Sequence, residues 1–216
     1  MAVMCKETQT SLNYNNVRQI ILASSSLVRK RLLENVGINV KVMPANLDEN
    51  AIRENLISAT KKLNADEVAK NLALKKADYI VKIEPESVII AADQVLQFKG
   101  RIYDKPRNLD QARTNLLEFS GQMHTLHSAI VAVNHSNVVW SYVDVVRIWI
   151  RDLSPNFVDR YLAFVGSSAL TSVGCYELEG YGAHLIEKIE GDYFTALGLP
   201  LLPLLDFMRE YCLIES

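Results

Sequence analysis

Residues 20–33 read IILASSSLVRKRLL. An apolar run gives way to three hydroxyls, after which Val28, Leu32 and Val36 recur at intervals of four. This is the pattern of a buried strand, a polar turn and a helix in immediate succession. A serine at the helix start accepts a bond from a free amide of the first turn, and Gly37 is placed to stop the helix. Strand feeding helix is the building unit of α/β folds, so this stretch sets the fold class of the chain.

Working outward, INVKVMP (38–44) alternates as a second strand. Residues 49–63 and 65–83 carry helical patterns. In the second, Val68, Leu72, Lys75 or Lys76, and Tyr79 fall about one turn apart. SVIIAAD (87–93) is a continuous apolar run closed by Asp93. VLQFKGRIYDKP (95–106) reads as a hairpin turning at Lys99-Gly100. Residues 108–121 read as a helix ending at Gly121. Two long β-rich runs fill 122–151, split by the turn cluster 134–137. Ser154 and Pro155 open a helix over 154–164. A strand is expected over 183–189, and a last helix interrupted by prolines over 196–211. The alternation predicts an α/β fold, and the long central β-pair predicts a mixed sheet.

The 216 residues suffice for a substantial core. Lys and Arg number 23 and Asp and Glu 25, a formal charge of −2. That balance gives no global attraction to nucleic acid or to an anionic membrane, so any phosphate affinity must come from local clusters. Cys5, Cys175 and Cys212 are scattered and odd in number, which argues against a disulfide framework or a zinc site and fits a reducing cytoplasm. No signal-peptide pattern opens the chain, and no stretch approaches a bilayer span. The polar start, residues 1–18, is expected to be a flexible tail.

The turn after the first strand is a candidate anion site. Amides of a helix start point outward with the positive end of the helix dipole. Ser24 and Ser26 can add hydroxyls, and Arg29 can fork onto a phosphate. The same residues equally suit a plain N-cap and a solvated cationic face. The glycines and GK[ST] ending of a P-loop are missing. Asp93, read as the end of a strand, can bind a divalent cation or take a proton from water, or else serve a turn. Lys76, Lys105 and Glu49 fit either a phosphate site or an ordinary surface. His124 and His127, three apart, do not share a strand face, and His124 is expected to anchor a turn. Glycines 180, 182, 191 and 198 allow close backbone approach, with Glu177 and Glu179 beside them to line a base pocket or hold a metal.

Taken in order, these pieces resemble the Maf family of nucleoside triphosphate pyrophosphatases, over residues 19–209. The carriers are LASSSLVRKRLL (22–33), Asp48-Glu49, the AxxKA pattern ending at Lys76-Ala77, Ala92-Asp93-Gln94, Lys105-Pro106, Ser120 to His124, EGYG (179–182) and GLPL (198–201). The chain departs from the pattern after Ser26: Leu27-Val28 stands where the family has Pro-Arg, so one of two tandem arginines is missing while Arg29 keeps the other. The ADQ variant and EGYG look closer to the branch associated with 7-methyl-GTP.

The resemblance implies a Maf/Ham1 (ITPase-like) fold, a mixed twisted sheet flanked by helices with a central cleft, as a single two-lobed domain over 19–212. It implies a cytoplasmic hydrolase that cleaves a nucleoside triphosphate between its α and β phosphates, with Mg²⁺ or Mn²⁺, in cleaning nucleotide pools. Asp93, Lys105 and Lys76 would be catalytic. Ser24, Ser26, Arg29, Glu179 and Gly180 would bind substrate, and Glu49 and Asp93 would hold the metal. Such proteins are often dimers, so a homodimer is among the expectations. The competing expectation is a nucleotide-binding regulator of cell division without significant hydrolysis.

Overall fold

The computed structural model of the chain describes residues 19–59 and 64–215. The expected N-terminal tail and the end of the helix expected up to residue 63 lie outside them. Strand β1 (Ile20–Ala23) runs through the turn into α1 (Leu27–Asn35). Then come β2 (Lys41–Val42), α2 (Glu49–Ala59), α3 (Ala65–Val81), β3 (Val88–Phe98), β4 (Arg101–Tyr103) and α4 (Leu109–Phe119). The long pair β5 (Met123–Asn134) and β6 (Asn137–Ile150) is followed by α5 (Pro155–Val165), β7 (Ile186–Glu190), α6 (Tyr193–Ala196) and α7 (Leu201–Glu210).

The sheet is ordered β2-β1-β3-β5-β6-β7, with β4 pairing β3. Both partners of β1 run parallel to it, whereas β3, β5, β6 and β7 pair antiparallel. The mixed sheet is therefore as expected. The hairpin turn is also where the sequence put it, with Lys99 and Gly100 both at positive φ, the two-residue turn whose twist suits a tight hairpin.

Side-chain parity decides which helix covers which face. Ile21, Ala23, Ile89 and Ala91 pack against α3, while Ile20, Leu22, Ile90 and Ala92 pack with residues of α1 and α7 on the opposite side. Farther along the sheet, Leu96, Leu126 and Ile148 pack with α4 and α5.

Several expected boundaries shift. The run expected to end at Asp93 continues to Phe98, because Asp93 and Gln94 stay paired with Ala129 and Ser128 of β5. The strand expected over 38–44 shrinks to Lys41–Val42, since β1 offers only a short edge to pair with. The strand expected over 183–189 begins with a 3₁₀ turn, Tyr181–Leu185, and pairs only from Ile186. The last helix divides at 197–200, where Gly198 has a φ of 92° and Pro200 sits at the cap of α7.

His124 does not anchor a turn. It lies buried within β5, its Nε2 2.8 Å from the Tyr176 hydroxyl. Burial pushes its pKa down to about 3, so the ring is a neutral hydrogen-bonding group. His127, on the opposite face, reaches Asp66 at the start of α3 at 2.6 Å. Cys175 is a free buried thiol, while Cys212 is disulfide-bonded, against the expectation from the odd count. No helix among the described residues is long and apolar enough to cross a membrane.

Candidate functional site

Strand β1 ends at Ala23, opposite Ala91 of β3, so β3 continues through Ala92 to Asp93 with no β1 partner beside it. This step in the sheet opens the floor of a cavity of about 620 Å³. The turn 24–26 and the start of α1 form one wall. The starts of α2 and the β4–α4 connection, with Asp104 and Lys105, form another. Residues 170–173 and 176–179 and the 196–197 loop close it.

Asp93 shares the strand face of Ile89 and Ala91, the face covered by α3. Lys76 lies on the buried stripe of that helix, between Ala73 and Ile80. Parity and helical period therefore bring the two together: Lys76 Nζ is 2.5 Å from Asp93 Oδ1 and 3.0 Å from Glu49 Oε1. Lys76 is 7% exposed and Asp93 4%. The other carboxylate oxygen, Asp93 Oδ2, is buried with no partner. A buried, charged acceptor left unpaired is costly, and at the edge of a cavity it marks a place for a ligand atom, a proton or a cation.

The opening stretch is built as a cap and as a staple at once. Ser26 Oγ accepts from Arg29 N at 3.3 Å, and Ser24 Oγ accepts from Ser26 N at 3.2 Å. The Arg29 side chain turns inward. Its Nη1 donates to Ser24 Oγ at 3.1 Å and to the Ala92 carbonyl at 2.8 Å, and its Nε donates to the Gly198 carbonyl at 2.7 Å. Burial lowers its pKa, and Asp93 and Glu49 oppose that shift. Nη2 makes no hydrogen bond among the described residues, so one end of the fork remains for a ligand. Lys30 instead pairs with Glu34 at the surface. Of the cationic cluster only Arg29 lines the cavity.

Lys105 lines the same cavity. Desolvation and then the nearby Arg29 lower its pKa, with Lys76 acting the same way and Glu49 and Asp93 opposing. A polyanion in the cavity would reverse that repulsion.

Ser24, Ser26, Arg29, Glu49, Lys76, Asp93, Lys105 and Glu179 thus all line one cavity. Gly180 does not: it caps the 3₁₀ turn behind Glu179. Arg53 and Gln94 are among the lining residues that escaped the sequence reading of the site. Arg53 reaches in from α2. Gln94 was read only as part of a motif, yet its Nε2 donates to Ser128 Oγ and to the carbonyls of Thr195 and Ala196 at 3.0–3.1 Å, tying β3 to the 196–197 wall. Their signals were present: Arg53 follows Glu49 by one helical turn, and Gln94 has the opposite parity to Asp93.

Two carboxylates alone do not cage a metal, and no cluster of three His, Cys, Asp or Glu exists among the described residues. Glu49 and Asp93, which both line the cavity, do fit the donor set of a hard dication that takes its remaining ligands from water and phosphate.

Glycine at 182 is required by proximity. A Cβ there would meet Glu177 O at 2.5 Å and Glu177 N and Tyr176 Cβ at 2.8 Å. Backbone cannot yield as a side-chain tip does, so Gly182→Ala should push out the segment that carries Glu177 and Glu179. The expected cost is about 1–3 kcal/mol, read as a lower Tm, together with weaker binding of whatever occupies that end of the cavity.

A family profile described as Maf-like protein matches residues 19–211. A 7-methyl-GTP pyrophosphatase of Rhizobium meliloti is 45% identical over 197 residues, covering 91% of this chain and 98% of that protein. A nucleoside triphosphate pyrophosphatase of Granulibacter bethesdensis is 41% identical over 193 residues, covering 89% and 97%. Among solved structures, a HAM1 protein from Coxiella burnetii matches 62% of this chain and 73% of its own at 15% identity and a TM-score of 0.39. A nucleoside-triphosphatase, dITP/XTP pyrophosphatase, from Mycobacterium abscessus covers 90% and 95% at the same identity and TM-score. On the profile match and on relatives similar over nearly their whole length, the chain belongs to the Maf family.

Proposed function

We propose that the protein is a nucleoside triphosphate pyrophosphatase that splits the α–β phosphate bond, releasing a nucleoside monophosphate and pyrophosphate, and that it serves to clean the nucleotide pool. The carrying observation is one cavity in which Arg29, Lys76 and Lys105 surround a buried carboxylate with an unused oxygen. A triphosphate repels an incoming nucleophile, so its charge must be offset before water can attack. The Arg29 Nη2 end, the Ser24 and Ser26 hydroxyls and the first amides of α1 are suited to bind the phosphates. Lys105 and Lys76 are suited to offset charge on the leaving pyrophosphate.

Asp93 Oδ2 then orients water and accepts its proton as the new oxygen–phosphorus bond forms and the bridging bond to the β phosphate breaks. Glu49 and Asp93 would hold a Mg²⁺ or Mn²⁺ ion, which when bound neutralises phosphate charge and acidifies water.

The carboxylates of the 176–179 wall stand apart in their pairing. Glu177 and Glu179 line it with no ion pair among the described residues, whereas Glu49, Asp93 and Asp104 all face cations. Uncompensated carboxylates favour a cationic base with N–H donors, which describes guanine methylated at N7. This supports, for this chain, the substrate named for the Rhizobium relative.

The test is a triphosphate panel including GTP and 7-methyl-GTP, with and without Mg²⁺, followed for pyrophosphate and orthophosphate separately. Pyrophosphate and monophosphate in equal amounts, with 7-methyl-GTP preferred, are expected. Orthophosphate alone would mean removal of the terminal phosphate, and binding without product would mean a nucleotide-responsive regulator; either overturns the reading.

A further inference from the structure

We propose that Arg53 is a second guanidinium of the phosphate site, taking over from α2 the place that the missing tandem arginine leaves at Val28. The inference rests on the proposed pyrophosphatase reading and adds a binding residue to it.

Four observations converge. Val28 lines the cavity, so an arginine there would have faced the ligand, and the chain has none. Arg29 cannot cover the loss alone, because its Nε and Nη1 are committed to Gly198, Ala92 and Ser24 and only Nη2 is open. Arg53 lines the same cavity, one helical turn beyond Glu49, and is only 8% exposed. Its guanidinium meets Asp104 and Asn50 through Nη1, while Nε is buried with no acceptor.

Arginine stays charged under all ordinary conditions, and a buried guanidinium nitrogen without an acceptor carries a desolvation cost that the protein itself does not offset. A phosphate oxygen supplies that acceptor. The fork suits phosphate because two parallel N–H groups meet two oxygens at once. Asp104, the chain neighbour of Lys105, then holds Arg53 in place, so two cations are presented from the same wall of the cavity. The bland alternative is that the Arg53–Asp104 pair merely ties α2 to the β4–α4 connection.

The test measures binding of inorganic pyrophosphate with Mg²⁺ by calorimetry, so it does not depend on turnover, alongside KM for the triphosphate and Tm for each variant. Arg53→Gln should weaken pyrophosphate binding about tenfold or more, the usual scale for a charge-assisted hydrogen bond, and raise KM in parallel with a smaller change in kcat. Arg53→Lys should fall between, keeping charge and losing the fork. Asp104→Asn, which removes the tie but leaves the guanidinium, should bind pyrophosphate at least as well as the wild type. Val28→Arg added to Arg53→Gln should recover much of the lost affinity.

Equal pyrophosphate binding in Arg53→Gln overturns the proposal. So does an Asp104→Asn variant that reproduces the Arg53→Gln defect, which would make Arg53 a tether only. Failure of the wild type to release pyrophosphate from any triphosphate would instead count against the proposed activity, while the calorimetric comparison would still decide Arg53.

Discussion

Asp93→Asn should lower turnover by about 10²-fold or more, the range expected when a positioned base is lost, in a protein that still folds. The amide is nearly isosteric and retains an oxygen for Lys76, which keeps Glu49 as its charged partner. What disappears is the proton-accepting capacity of Oδ2, the buried oxygen that no protein group uses. KM should change less than kcat if Asp93 acts on water and not on the phosphates. Steady-state kinetics with a native-like melting curve checks this. Full turnover in Asp93→Asn would remove the residue from the chemistry.

Arg29→Ala should do two things, because the structure gives Arg29 two tasks. The sequence assigned it to phosphate, and that predicts a higher KM. The three bonds to Ser24, Ala92 and Gly198 add a structural role joining the α1 turn, β3 and the 197–200 loop. Truncation leaves the buried Ala92 and Gly198 carbonyls without their donor. Each orphaned group costs about 1–3 kcal/mol, and water entering from the cavity recovers part, so a loss of about 2–3 kcal/mol is expected. For a chain of this size that lowers Tm by about 5–10 °C. Thermal melts and KM, measured on the same preparation, separate the two tasks. An unchanged Tm would show that the staple contributes little, and an unchanged KM that Arg29 does not grip substrate.

Local order was readable in particular residues. The cap at Ser26, the proline-opened helix at Pro155 and the turn at Lys99-Gly100 all lie where local chemistry demanded them. Each depends on interactions within a few residues, and such interactions are written in the sequence itself. The recognition of the site rested on short motifs, and of the residues assigned to the site from them all but one line a single cavity. Gly180 is the exception, since whether a residue or its neighbour faces a cavity is settled by the turn that comes after it.

What failed to be legible depended on partners far away in the chain. Asp93 looked like a strand end because the apolar run stops there. β5 keeps pairing with β3 beyond it, and the earlier end of β1 leaves a cavity beside the buried carboxylate. His124 looked like a turn residue until Tyr176 enclosed it. Arg53 carried no motif at all, and its relevance comes from α2 folding over the same cavity as Val28.

From the sequence alone came the order of most elements, the mixed α/β class and the charged side chains from which a polyanion site could be assembled. The tertiary structure decided which of those charges stand free and which are consumed in holding the walls together. The reason is physical: helix starts and turns are stabilised by neighbours in the chain, whereas the availability of a buried charge depends on every group that packs against it, wherever in the sequence that group lies.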